Sequence, residues 1–196
     1  MTTLFLLSPA RTGGTRAQQL ARSRSSELGG ALRRGDAAIG DVFAWLSALY
    51  FRGKLAYARR FAPAHAFVMA PGLGLPHEGA RISAADLRAM ATVEVESDAF
   101  VRPLRHAAAA LDFANPDARV VLLGSIATGK YTQPLLEIFG DRLLFPAEFV
   151  GRGDMSRGGL LLRAARAGDE LAYTPVAGAV RRGTRPPKLP KLGTRA

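Results

Sequence analysis

The stretch Arg119-Val-Val-Leu-Leu-Gly124-Ser-Ile-Ala-Thr-Gly129-Lys130-Tyr131 decides the fold of this chain. An apolar run ends in a glycine, crosses four residues and returns through Gly129 to a lysine. A short, continuous Val/Leu run closed by glycine reads as a buried strand of a parallel sheet. The segment meets the phosphate-loop pattern G-x-x-x-x-G-K and departs from it at the next place, where Tyr131 stands instead of Ser or Thr. Two readings are open. One is a nucleotide-binding loop with an altered magnesium ligand. The other is a strand-end pocket that uses Lys130 and Tyr131 for its own purpose.

Three more segments repeat the theme of a strand followed by a loop. Thr3–Leu7 runs into Ser-Pro-Ala-Arg-Thr-Gly-Gly, Ala66–Ala70 into the Gly/Pro loop PGLGLPHEGA, and Arg142–Phe145 into GRGDMSRGG. Between them lie helical patterns. Asp41 reads as the N-cap of a long helix carrying Val42, Trp45, Leu46, Leu49 and Ala56 on one face. Gly53 falls inside it, which marks a break or a close backbone approach. Ser83 reads as the cap of a short helix, and a longer helix follows over Ala99–Ala114. Thr132 opens another, with Pro134 in its first turn, where proline is tolerated. A further helix follows GRGDMSRGG and runs to about Ala167, and Leu171–Tyr173 with Val176–Val180 form a terminal hairpin. Strands alternating with helices predict an α/β fold: a single domain, 1–180, with a mostly parallel central sheet flanked by helices. A basic, Pro-rich tail, 181–196, follows as an extended arm. In such sheets ligands sit beyond the carboxyl ends of the strands, so the four loops compete for one site.

Composition narrows the function. Of 196 residues, 48% are hydrophobic and 22% charged, which is ordinary for a globular chain. No apolar run approaches the roughly 20 residues of a membrane span. Cysteine is absent, which excludes disulfides, thiolate zinc sites and cysteine nucleophiles and fits a cytoplasmic protein. The apolar segment at the N-terminus is too short for a signal peptide and has no basic leader. His65, His77 and His106 lie far apart without metal-ligand spacing, so no metal or cofactor is expected. Net charge is +11, placed at the two ends. Residues 1–60 carry ten basic residues against three acids, 61–180 carry eleven against thirteen, and 181–196 carry six and no acid. This is a footprint for DNA or another nucleic acid. The alternative is the basic drift of an Ala/Arg/Gly-rich composition.

Several residues are candidates for chemistry. The chain has 23 Arg and four Lys, two of them in the tail. The other two, Lys54 and Lys130, each follow a glycine, as though a compact ammonium were required there. Tyr50, Arg52, Lys54 and Tyr57 interleave aromatics with positive charge. Tyr50, Lys54, Tyr57 and Phe61 share a helical face that either stacks bases and holds phosphates or forms a core stripe with the lysine snorkelling outward. Arg152 and Arg157 flank Asp154 before a helix, where a phosphate would sit well. Asp154 is either an N-cap or a carboxylate that activates water. Glu78, in the loop after the second strand, is a second candidate carboxylate. Ser8 and Arg11 stand at a strand end, but no His–Asp partners for Ser8 are evident, which argues against a serine nucleophile.

LLSPAR resembles the opening of the YaaA-like peroxide-stress proteins, where a strand runs into Ser-Pro-Ala-Lys; Arg11 here replaces that lysine. LYFRGKLAYARRF followed by AFVMAPGLGLP resembles a related bacterial group with a Leu-Tyr helix, a strand and Ala-Lys-Tyr-Gly-Leu. DMSRG resembles the YaaA-like Met-Ser-Arg segment. GLGLPHE is similar to a loop of the archaeosine-synthase C-terminal domain, considered uracil-DNA-glycosylase-like. The resemblance covers most of residues 3–160 and implies a YaaA-like α/β fold that binds DNA or a nucleobase. The expected function is a DNA glycosylase-like hydrolase acting on a modified or damaged base. Asp154 or Glu78 would supply the carboxylate, and Ser8, Arg11, Tyr50, Arg52, Lys54, Lys130, Tyr131, Arg152 and Arg157 the binding groups. The alternatives are a non-catalytic DNA-binding stress or defence protein and a nucleotide-binding enzyme with the altered loop at 124–131.

Overall fold

A computed structural model describes residues 2–189 of the chain. The first strand, β1 (Thr3–Leu7), is buried along its whole length. The polar segment after it forms α1 (Thr15–Arg22) and α2 (Glu27–Arg34). The Ser26 hydroxyl caps α2 by accepting from the Gly29 N–H, and Gly35 ends that helix in the left-handed region. A two-residue strand, β2 (Ala37–Ala38), leads into α3 (Ile39–Ser47) and α4 (Leu49–Phe61). There follow β3 (Ala66–Val68), β4 (Arg81–Ile82), α5 (Ala84–Ala91), α6 (Asp98–Ala114) and β5 (Arg119–Leu123). The described chain ends with α7 (Gly129–Phe139), β6 (Leu143–Pro146), α8 (Asp154–Ala167), β7 (Tyr173–Pro175) and an extended segment to residue 189.

The central sheet has the order β3-β1-β5-β6-β7. Its first four strands are parallel, and β7 joins antiparallel to β6. β2 and β4 pair separately as a short antiparallel ribbon. This is the mixed α/β domain with a mostly parallel sheet that the alternation of patterns predicts. The chain leaves β1 toward β3 on one side and returns to β5 on the other. The carboxyl ends of β1 and β5 therefore flank the topological switch point, where the connections diverge and leave a crevice.

One core holds the sheet to its helices. Phe5, Phe43, Phe51, Tyr57, Phe145 and Phe149 are its largest fully buried aromatic side chains. Tyr57 also holds the sheet edge. Its hydroxyl accepts the Leu171 N–H at 2.8 Å and meets the Tyr173 hydroxyl at 2.6 Å. That contact fixes 171–173, so the predicted terminal hairpin does not form. Tyr173–Pro175 pairs with β6 instead, and Val176 closes the edge by donating to Leu143 O.

Three other boundaries differ from the sequence pattern. The long helix expected from Asp41 starts at Ile39, with Asp41 in its first turn, and breaks at Ala48 rather than at Gly53. Ala48 has φ 51° and ψ −120°, the one positive φ outside glycine among the described residues. Gly53 continues α4 and serves the second purpose a glycine allows, a close backbone approach. The helix expected from Thr132 begins at Gly129, which puts Pro134 inside it. The helix expected after GRGDMSRGG begins within that motif, at Asp154. The cap at Ser83 forms as the sequence suggests, a capping box with Asp86.

The tail is laid on the domain as far as residue 189. The Thr184 carbonyl contacts Gly151, whose positive φ and missing Cβ both suit that position, and Leu189 packs against the core. The remainder of the predicted arm, 190–196, lies outside the described residues. Among the described residues no helix is long and apolar enough to cross a membrane.

Candidate functional site

The site is built where β1 and β5 end. Ser8 follows β1, and its N–H donates to Leu123 O on the neighbouring strand. Gly124 follows β5. A Cβ there would lie 2.9 Å from Ser8 Cβ and 3.1 Å from Ser8 Oγ, so glycine is what leaves room for the serine. The first loop of the sequence reading and the near phosphate-loop thus meet side by side.

Lys54 reaches Ser8 from α4. Its Nζ donates to Ser8 O at 2.7 Å and lies 2.8 Å from Ser8 Oγ. It also stands over the Tyr50 ring at 4.2 Å and the Phe51 ring at 4.9 Å, a cation–π arrangement. Lys54 is 1% exposed and Ser8 4%. No carboxylate forms an ion pair with Lys54 among the described residues. Burial pushes its pKa down to about 7; the Asp154 charge opposes this and the Arg157 charge adds to it. Both protonation states are therefore populated near neutral pH. The lysine does not snorkel outward; it turns into the core.

The crossing of α4 with α8 fixes the rest. A Cβ on Gly53 would lie 2.5 Å from Gly158 O, and one on Gly158 would lie 2.7 Å from Leu49 O and Tyr50 Cα. Two glycines let the helix backbones touch, which sets Tyr50 and Lys54 against the first turn of α8. Asp154 is the first residue of that helix. Gly153 holds the N-cap place, so Asp154 is not the cap. Its side chain is largely exposed, with Oδ1 3.5 Å from Arg157 Nη1. Arg157 is buried and anchored by Nε and Nη2, which donate to Phe149 O at 3.3 and 3.2 Å. Tyr50 Oη is buried near the Arg157 guanidinium and makes no well-aligned hydrogen bond among the described residues. Burial raises the Tyr50 pKa, Arg157 opposes the rise and Asp154 adds to it. Tyr131 is pushed up to about 12, first by burial and then by Asp154 and Glu96. Lys130 Nζ stands 5.1 Å over the Tyr131 ring, and Phe100 packs on that ring at 6.3 Å.

Other sequence candidates form no hydrogen bond or ion pair with Ser8, Lys54 or Asp154 among the described residues. The loop after β3 doubles back on its own strand through the Ala70–Gly74 and Phe67–His77 bridges. Glu78 is thereby carried to Ala66 at the amino end of β3, where its N–H donates to Ala66 O. Arg59 takes both of its carboxylate oxygens, at 3.1 and 2.6 Å. Gly40 sits so close that a Cβ would lie 2.7 Å from Glu78 Oε2. Glu78 is thus a structural anchor between β3, α3 and α4. Arg52 is exposed, its Nε donating to Ala48 O. Arg152 bonds within its own segment, Nε to Glu148 O and Nη1 to Ser156 Oγ. Arg11 is exposed on the turn after β1. Of the stripe Tyr50, Lys54 and Tyr57, all three are core residues rather than a stacking face. The altered phosphate loop finds no substitute hydroxyl in Thr132, which is fully buried and donates back to Thr128 O at 3.4 Å.

A groove of about 400 Å³ begins at the same end of α8, with Arg152, Arg163, Arg185 and Lys188 set among apolar residues that include Leu49, Met155 and Pro186. Among the described residues no group of three or more His, Asp or Glu side chains could hold a metal ion. The contact between Ser8 and Lys54 is the feature sequence reasoning missed; the rare lysine after a glycine was the signal for it. No family model matches the chain, and neither a curated protein nor a solved structure matches it.

Proposed function

We propose that the chain is a nucleic-acid N-glycosidase that cleaves a nucleobase from its sugar at the strand-end site. The observation that carries this reading is the position of Asp154: a solvent-facing carboxylate in the first turn of α8, 3.5 Å from the anchored Arg157, on the helix whose backbone touches α4, which carries Tyr50 and Lys54. Cleavage of a glycosidic bond builds positive charge on the sugar. A carboxylate stabilises that charge and orients the attacking water. The Arg157 guanidinium, held by Phe149 O and paired with Asp154, keeps a positive charge beside the carboxylate where an anionic sugar-phosphate would lie. The four cations in the groove at the start of α8, Arg152, Arg163, Arg185 and Lys188, would track the polymer backbone.

The test is incubation with DNA and RNA oligonucleotides carrying diverse modified bases, reading abasic sites. Asp154→Asn is expected to lower release by about 100-fold or more while binding persists. Intact binding without abasic sites on any substrate would overturn the enzyme reading and leave a nucleic-acid-binding protein.

A further inference from the structure

We propose that Ser8 is a nucleophile, that Lys54 is its general base, and that the pair carries phosphoryl transfer from a phosphate ester bound at the strand ends. A serine hydroxyl is inert at neutral pH unless a neighbour removes its proton, and lysine serves where it is held neutral. Lys54 Nζ meets Ser8 Oγ at 2.8 Å, and its bond to Ser8 O at 2.7 Å holds the nitrogen in place in either protonation state. A structural lysine with this reach would ordinarily end in solvent or on a carboxylate; this one does neither. The groups facing it are Tyr50 and Phe51 from its own helix and Asp154 and Arg157 from α8.

The surroundings favour phosphorus as the electrophile. The Arg157 charge acts on Lys54, Lys130 stands in the first turn of α7, and α7 and α8 follow β5 and β6 in the chain. These stabilise the extra negative charge of a phosphoryl transition state. In the step, Ser8 Oγ forms a bond to phosphorus as its proton passes to Lys54 Nζ. The bond from phosphorus to the leaving oxygen, opposite Ser8, breaks, and that oxygen takes its proton from solvent water. Water then attacks the phosphoserine from that side and loses its proton to solvent, while the Lys54 ammonium returns its proton to Ser8 Oγ as the bond to phosphorus breaks. This chemistry uses Ser8 and Lys54, whereas the N-glycosidase reading rests on Asp154, so each fails or stands by its own measurement.

The experiment treats the full chain, without nucleic acid, with a small alkyl fluorophosphonate and maps the adduct by peptide mass spectrometry. Ser8 Oγ displaces fluoride from phosphorus, and Lys54 takes the proton. A single adduct on Ser8 is expected, with a rate that rises from about pH 6 to 8 as Lys54 loses its proton. Asp154→Asn shifts that profile to lower pH, because the carboxylate holds the lysine pKa up. Lys54→Met slows labelling about 100-fold, Lys54→Arg does not restore it, and Ser8→Ala removes the adduct. Absence of a Ser8 adduct on the folded chain overturns the proposal, as does a rate that is flat with pH. The wild-type profile keeps the test valid if the Lys54 variants do not fold.

Discussion

Lys54 is the residue on which the site turns, and its burial has a thermodynamic signature. In the fold it loses its proton at about 7, whereas an unfolded lysine holds it to about 10.4. Between those values the unfolded chain binds more protons, so stability rises with pH across that window. Below about 7 both states are protonated and the full cost of the buried ammonium is felt. Urea denaturation from pH 7 to about 9.5 should show this rise, and Lys54→Met should remove the part that belongs to the lysine. Gly124→Ala forces a methyl against Ser8 and is expected to cost about 1–3 kcal/mol, read in the same assay. The sequence singled out Lys54 and Gly124 separately. It offered no partner for Ser8, because the partner is a lysine 46 residues away on a different element.

At the scale of elements, the crossing of α4 and α8 does the positioning. Backbone meets backbone at Gly53 and Gly158, and neither neighbour can give way as a flexible side chain would. Gly158→Ala is expected to cost about 3 kcal/mol in denaturant and to slow labelling of Ser8, since Tyr50 and Lys54 shift with α4. A milder change marks local structure alone. Ser83→Ala removes the hydroxyl that accepts from the Asp86 N–H and should cost about 1 kcal/mol without touching the site. This cap was legible because its two partners lie three residues apart. The break at Ala48 was not, since alanine is a helix former and no turn residue marks its positive φ in the sequence.

At the scale of the whole molecule, the basic tail and the domain share one groove at the start of α8. If that groove tracks a nucleic-acid backbone, binding weakens steeply with salt. Arg185→Ala and Lys188→Ala should each reduce the slope of log affinity against log salt by about 1, measured by titration at several ionic strengths. An unchanged slope would remove the tail from the interface. The start of α8 that borders this groove also carries Asp154 and Arg157.

What the sequence determined by itself was local and periodic. The apolar runs fixed the four parallel strands, the 3.6-residue patterns most of the helices, and their alternation the parallel α/β class, because each depends on neighbours along the chain. Glycine and lysine positions also named the loops that matter. The tertiary structure alone decided which of those loops meet. It joined Ser8 to Gly124 through strand pairing and brought Lys54 to Ser8 through a helix crossing. It also removed Glu78 from the site by folding its loop back along β3. Proximity between residues distant in sequence follows from strand order and packing, and neither composition nor spacing records it.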